Sequence, residues 1–161
     1  MPTSHPFPNA EAIRVLISDL LGRSVTVVAG DPLPLEADTA AVMADYRSED
    51  GVVGAVCITD LRLSNALGAA LTMVAPATVE QAVNSGQVDG QNLENLTEIV
   101  KVAAQLFNHD DFAALRWHEV HTLPGEVEEL TAAFVKEPAA RRDYDVIVDE
   151  YGSGKLAVLV A

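Results

Sequence analysis

Three groups of residues in this chain have types and spacings that could support chemistry. Gln91, Glu94, Glu98, Lys101, Gln105 and Asn108 recur every three or four positions, which on a helix makes one continuous polar stripe. Carboxylates, an ammonium and amides on one rigid face can pair with a partner's charges or hold a water against a reacting centre. On residue types alone the stripe reads first as a solvated face with a Glu98–Lys101 ion pair worth about 0.2–0.5 kcal/mol. His118, Glu119 and His121 are metal-ligating types in one short run. Alternation along a strand sends positions 118 and 121 to opposite faces, so ordinary strand histidines are expected, with no metal site. Gly152, Ser153, Gly154 and Lys155 look like the end of a phosphate-cradling loop, but Asp149 and Leu156 stand where that loop needs glycine and Ser or Thr. A hairpin turn is expected there instead. The single cysteine, Cys57, lies in the apolar run GVVGAVCI and has no cysteine partner, so it reads as a buried strand hydrophobe.

The elements that must position these residues follow from periodicity. Ile13, Leu16, Ile17 and Leu20 predict a helix over Ala10–Leu21, stopped by Gly22. The β-branched run Ser24–Val28 predicts a short strand, and a proline-rich loop follows it. Thr39–Arg47 and Gly51–Ile58 flank a polar connection and predict a hairpin. Leu63, Leu67, Ala70, Leu71 and Val74 share one face of a helix over Leu61–Val74. Leu93, Leu96, Val100, Ala103 and Phe107 do the same for a longer helix over Gly90–Asn108, the carrier of the polar stripe. Ala114–Val120 predicts a strand, Gly125–Val135 a short helix, and Asp143–Asp149 with Lys155–Val160 a C-terminal hairpin. Together these predict an α+β (mixed α/β) fold, a mostly antiparallel sheet with two central long helices packed on one face.

The composition bounds the partners. With 161 residues, 10 Lys and Arg against 24 Asp and Glu give a formal net charge of −14. Such an excess opposes phosphate backbones and anionic lipid, so neither nucleic acid nor membrane surface is an expected partner. A hydrophobic fraction of 49% supports one folded domain. Residues 1–9, with three prolines, read as a flexible N-terminal tail, and residues 10–161 as a single domain. No apolar run has the length of a signal or a spanning helix, so a cytoplasmic location is expected.

The long helix also carries a resemblance. Glu98, two residues, Lys101, 22 residues and Pro124 have the spacing of the signature of the CheC/CheX chemotaxis phosphatase family. That signature has Asp or Ser, three residues, Glu, two residues, Asn, 22 residues and Pro; here Glu94 stands at its first position and Lys101 at the Asn position. The order of elements from Ala10 to Ala161 is similar to CheX as well.

Proteins of that family hydrolyse the aspartyl phosphate of the CheY-like receiver domain of response regulators. The resemblance implies that this chain docks such a receiver through Glu94, Glu98, Lys101 and Gln105, Glu98 forming a salt bridge to a receiver lysine. It implies no cofactor of the chain's own, because the receiver supplies the magnesium, and it makes Pro124 a structural member of the motif. The family's Asn holds the attacking water in line, whereas the ammonium of Lys101 has three donors, no acceptor and a flexible stem. Weak or absent phosphatase activity is therefore expected, with Asn95 and Gln105 the two amides close enough to substitute. A second copy of the motif is not expected in Leu61–Val74, where Ser64 and Asn65 have no Glu three residues before the Asn.

Three readings stand on this sequence: a non-catalytic receiver-docking protein, an aspartyl-phosphate phosphatase with an altered site, and a structural module related to flagellar switch middle domains. The resemblance also implies a homodimer, for which Lys155–Val160 would serve if it lay at a sheet edge.

Overall fold

Local signals begin the first helix where the apolar pattern places it. In α1 (Ala10–Leu21) the Asn9 side chain accepts from the Ala12 N–H at 2.7 Å, and Ile13, Ile17 and Leu21 are buried. Gly22 ends it in the left-handed region at φ 66°, donating to the Ser18 carbonyl. The computed structural model describes residues 7–108 and 114–161. Within them residues 7–9, expected as part of a loose tail, belong to the fold. Phe7 lies under the Arg142 guanidinium at 4.7 Å, and the Pro8 carbonyl accepts from the Tyr144 hydroxyl at 3.3 Å.

Among the described residues six strands follow: β1 (Val25–Ala29), β2 (Ala41–Arg47), β3 (Val53–Asp60), β4 (Arg116–Leu123), β5 (Ala140–Val148) and β6 (Gly152–Val160). They form one sheet in the order β1-β5-β6-β3-β2-β4, with every neighbouring pair antiparallel. The edges are β1 and β4. The C-terminal strand β6 lies between β5 and β3, so both of its edges are used and Lys155–Val160 is closed to a second chain. That corrects the strand-pairing route to a dimer.

The helices α2 (Leu61–Leu71) and α4 (Gly90–Val102) pack against each other over the sheet, with α1 beside them. Asp60 caps α2, its Oδ1 accepting from Leu63 N–H at 2.8 Å and its Oδ2 from Lys155 N–H at 2.9 Å. Gly68 of α2 lies so close to α4 that an added Cβ would overlap the backbone of Asn92. A further helix, α3 (Ala77–Ser85), follows α2 in the chain and packs against it; the sequence pattern did not anticipate it, since it buries only Val79 and Ala82. The helix expected over Gly90–Asn108 changes to a 3₁₀ segment over Ala103–Phe107.

Alternation along β2 divides the core. Val42, Ala44 and Tyr46 face α1, α2 and α4, while Ala41 and Met43 face a smaller cluster with Leu33, Val56, Ile58 and Leu159. Phe134 and Val135 of α5 (Glu129–Lys136) cover that second cluster. Cys57 is buried in the main core, and its burial pushes the thiol up to about 12. No helix among the described residues is long and apolar enough to cross a membrane.

The pairing of β4 with β2 overturns one expectation. Asp45 pairs with Glu119 but Tyr46 with Trp117, so His118 is an extra residue, a β-bulge. The bulge breaks the alternation that was expected to send His118 and His121 to opposite faces. Both imidazoles instead approach the same carboxylate, His118 Nδ1 at 3.2 Å from Asp45 Oδ2 and His121 Nε2 at 3.5 Å from Asp45 Oδ1.

Candidate functional site

Helix α4 starts where Asp89 accepts from the Gln91 and Asn92 N–H groups, and its two sides are chemically distinct. Asn92, Asn95, Leu96, Ile99 and Val100 are buried. Gln91, Glu94, Glu98 and Lys101 are exposed, and so are Gln105 and Asn108 beyond the helix. The stripe read from the sequence therefore exists as one solvent-facing surface.

The inner side fixes that surface in place. Asn95 Nδ2 donates to the Gly68 carbonyl at 2.8 Å and to Thr72 Oγ1 at 3.0 Å, while its Oδ1 accepts from Gln91 Nε2 at 3.1 Å. Asn65 Oδ1 accepts from Asp89 N–H at 3.0 Å and from Asn92 Nδ2 at 3.1 Å. Its Nδ2 donates to the carbonyls of Leu61 and Gln87. Under the helix, the Tyr46 hydroxyl donates to the Val100 carbonyl at 2.6 Å, and its ring centroid lies 5.1 Å from that of Phe107. Buried amides with satisfied partners rigidify such a helix pair.

Asn95, considered from the sequence as a stand-in for the missing water-holding amide, is thus turned away from Glu98 and committed between α2 and α4. Gln105 remains on the exposed side, one 3₁₀ turn beyond Lys101. Ser64 and Asn65 are buried, Ser64 Oγ lying 2.7 Å from Thr59 Oγ1, so α2 presents neither of these polar groups to solvent.

Lys101 is held by two contacts. Its Nζ donates to Glu98 Oε1 at 3.3 Å and stands 4.9 Å from the centroid of the Trp117 ring on β4. Nothing in the sequence flags Trp117, because its meeting with Lys101 depends on how β4 lies beside α4. Leu93, Glu94 and Thr97 face Trp117, Val120 and Thr122 across a shallow groove. Pro124 lies elsewhere. It lines a separate depression with Gly86, Gln87 and Val88, the residues just before α4.

The phosphate-loop look of Gly152–Lys155 resolves as the start of β6 after a turn with Glu150 at φ 72° and Gly152 at φ 100°. Lys155 Nζ is spent on Asp145 at 2.9 Å and on the Asp31 carbonyl at 3.2 Å. The arrangement on α4 can therefore do two things: offer a carboxylate and an ammonium to a partner's charges, and present a polar surface backed by a rigid helix pair.

No protein-family profile matches the sequence, and no curated protein matches it. The fold has clear relatives among solved structures. A crystal structure of the FliM middle domain from H. pylori is similar at a TM-score of 0.62 and 8% identity, over 94% of this chain and 84% of that one. The FliM–SpeE complex from H. pylori gives a TM-score of 0.61 at 8% identity, over 94% and 80%. The FliM middle domain from Vibrio alginolyticus gives 0.50 at 12% identity, over 94% and 87%. This chain shares the fold of those domains, and at such identities the likeness speaks for the fold alone.

Proposed function

We propose that the chain is a protein-docking module that engages the receiver domain of a response regulator through the outer face of α4, with little or no hydrolysis of the aspartyl phosphate. One observation carries this reading. Glu98 is exposed on a rigid helix, and the residue one turn further on is an ammonium shared between Glu98 and Trp117. An exposed i,i+3 ion pair is worth only about 0.2–0.5 kcal/mol, so Glu98 can exchange Lys101 for a partner's lysine at small cost. The released ammonium then faces the partner, where a phosphoryl group is the complementary charge. Holding a water in line needs a group that both donates and accepts, and Lys101 offers no acceptor.

The fold likeness to FliM middle domains favours a second reading, a structural module of a larger assembly with no phosphoryl chemistry. Phosphate release separates the two. Receivers charged with acetyl phosphate and magnesium are incubated with the wild-type chain and with Lys101→Asn. The docking account expects no acceleration by wild type and measurable acceleration by the variant. Acceleration by wild type overturns the non-catalytic reading, and no effect from either protein, combined with co-purification in a large complex, favours the structural module.

A further inference from the structure

A second polar constellation occupies the β4 edge of the sheet, on the face opposite α4. Asp45 is fully buried, with its Oδ2 accepting from Arg47 Nε at 2.8 Å and its Oδ1 making no hydrogen bond among the described residues. His121 is 7% exposed, and its Nε2, 3.5 Å from that oxygen, makes none either. The bulge at His118 brings a second imidazole to the same place, with Nδ1 3.2 Å from Asp45 Oδ2. Glu119 Oε2 lies 3.9 Å from His121 Nε2. Ligand atoms of His118, Glu119 and Glu128 all lie within 4.8 Å of one another. Arg47 also holds Glu128 Oε2 at 3.1 Å and donates to Thr131 Oγ1 at 3.2 Å.

We propose that this corner binds one divalent cation of the zinc class, with His118, Glu119, His121 and Glu128 as ligands and Asp45 positioning the His118 imidazole from beneath. The donor set is two imidazoles and two carboxylates, which suits zinc and disfavours magnesium. A tetrahedral site with bonds near 2.0–2.2 Å sets its ligand atoms about 3.3–3.5 Å apart. His121 and Glu119 are already close to that spacing, and the exposed side chains of His118, Glu119 and Glu128 need to close by little more than an ångström. Asp45 accepting from His118 Nδ1–H leaves Nε2 for the cation, the carboxylate–histidine–metal arrangement. Charge agrees: three carboxylates against the Arg47 guanidinium leave two negative charges, which a dication neutralises. Arg47 does not block the site, since it occupies one oxygen of Glu128 and leaves the other. The unpartnered buried nitrogen of His121 gains a partner when the cation enters.

The test is calorimetric titration of the metal-freed full-length chain with Zn²⁺ near neutral pH, with Co²⁺ absorption as a probe of geometry. One zinc per chain at micromolar or lower Kd is expected, with visible cobalt bands of tetrahedral intensity. His118→Gln and Glu119→Gln, both at exposed positions that the fold does not need, each weaken binding about tenfold or more. The paired variant His5→Gln, His109→Gln leaves it unchanged. Absence of micromolar binding, binding indifferent to the first two variants, or loss of binding in the His5/His109 pair each overturns the proposal.

Discussion

Lys101 decides what the outer face of α4 can do, because its ammonium offers donors and no acceptor. The structure leaves its ammonium between Glu98 and the Trp117 ring, and it commits the nearest alternative amide, Asn95, to the helix interface. Two other residues give direct tests of the packing that holds this face. Cys57 is buried with its thiol pushed up to about 12 by desolvation, so the reactive thiolate is scarce at neutral pH. A maleimide or a disulfide reagent should leave the native chain unlabelled and label one thiol after denaturation; rapid native labelling would contradict the burial. Asp60 is raised from its ordinary value, first by burial, against the lowering effect of its hydrogen bonds from Leu63 and Lys155. With the folded pKa above the unfolded one, near 3.9, the folded state holds the proton longer. This group's contribution is complete below pH 4 and is lost as pH rises through the folded pKa. Asp60→Asn should remove that falling component from a stability–pH profile measured by urea denaturation, while losing the acceptor for Lys155 N–H at all pH values.

At the scale of elements, the pair α2 and α4 makes the proposed docking surface rigid through close backbone approach and buried amides. Gly68→Ala would drive a methyl into the Asn92 backbone, and such overpacking costs about 1–3 kcal/mol. Asn95→Ala removes the donor to the Gly68 carbonyl and to Thr72, at a cost of about 1–3 kcal/mol for the buried group left unpaired. Thermal or chemical denaturation of both variants checks this, and neutral effects would contradict the crossing described. Much at this scale was legible in the sequence. Helix α1 has a strong apolar face and its stop in Gly22, so Ala10–Leu21 could be read from spacing alone. The polar stripe of α4 was legible for the same reason. Helix α3 was not, because a helix burying only Val79 and Ala82 leaves too thin an apolar pattern. The orientation of His118 was misread because a bulge is set by pairing with β2, and the run Arg116–Leu123 alone shows only an alternating strand. Asn95 and Trp117 show the same limit, each role being fixed by a neighbouring element remote in sequence.

The whole molecule is a sheet with helices α1, α2 and α4 on one face and α5 on the other, and strand order is its least local property. The fold class followed from hairpins separated by helical runs, but the interior place of β6 comes from pairing with β3 across about a hundred residues of chain. That place moves any self-association away from Lys155–Val160 and toward other surfaces. It also puts the α4 face on one side of the molecule and the Asp45 corner on the other, so receiver docking and cation binding can be tested separately. The most direct measurement for docking is the affinity of the chain for receivers with and without the acyl phosphate, for wild type and for Glu98→Lys. The account predicts tighter binding of a charged receiver by wild type and about a tenfold or greater loss in the variant. Equal affinity for both receiver states, or a Glu98→Lys chain that binds as well as wild type, would contradict it.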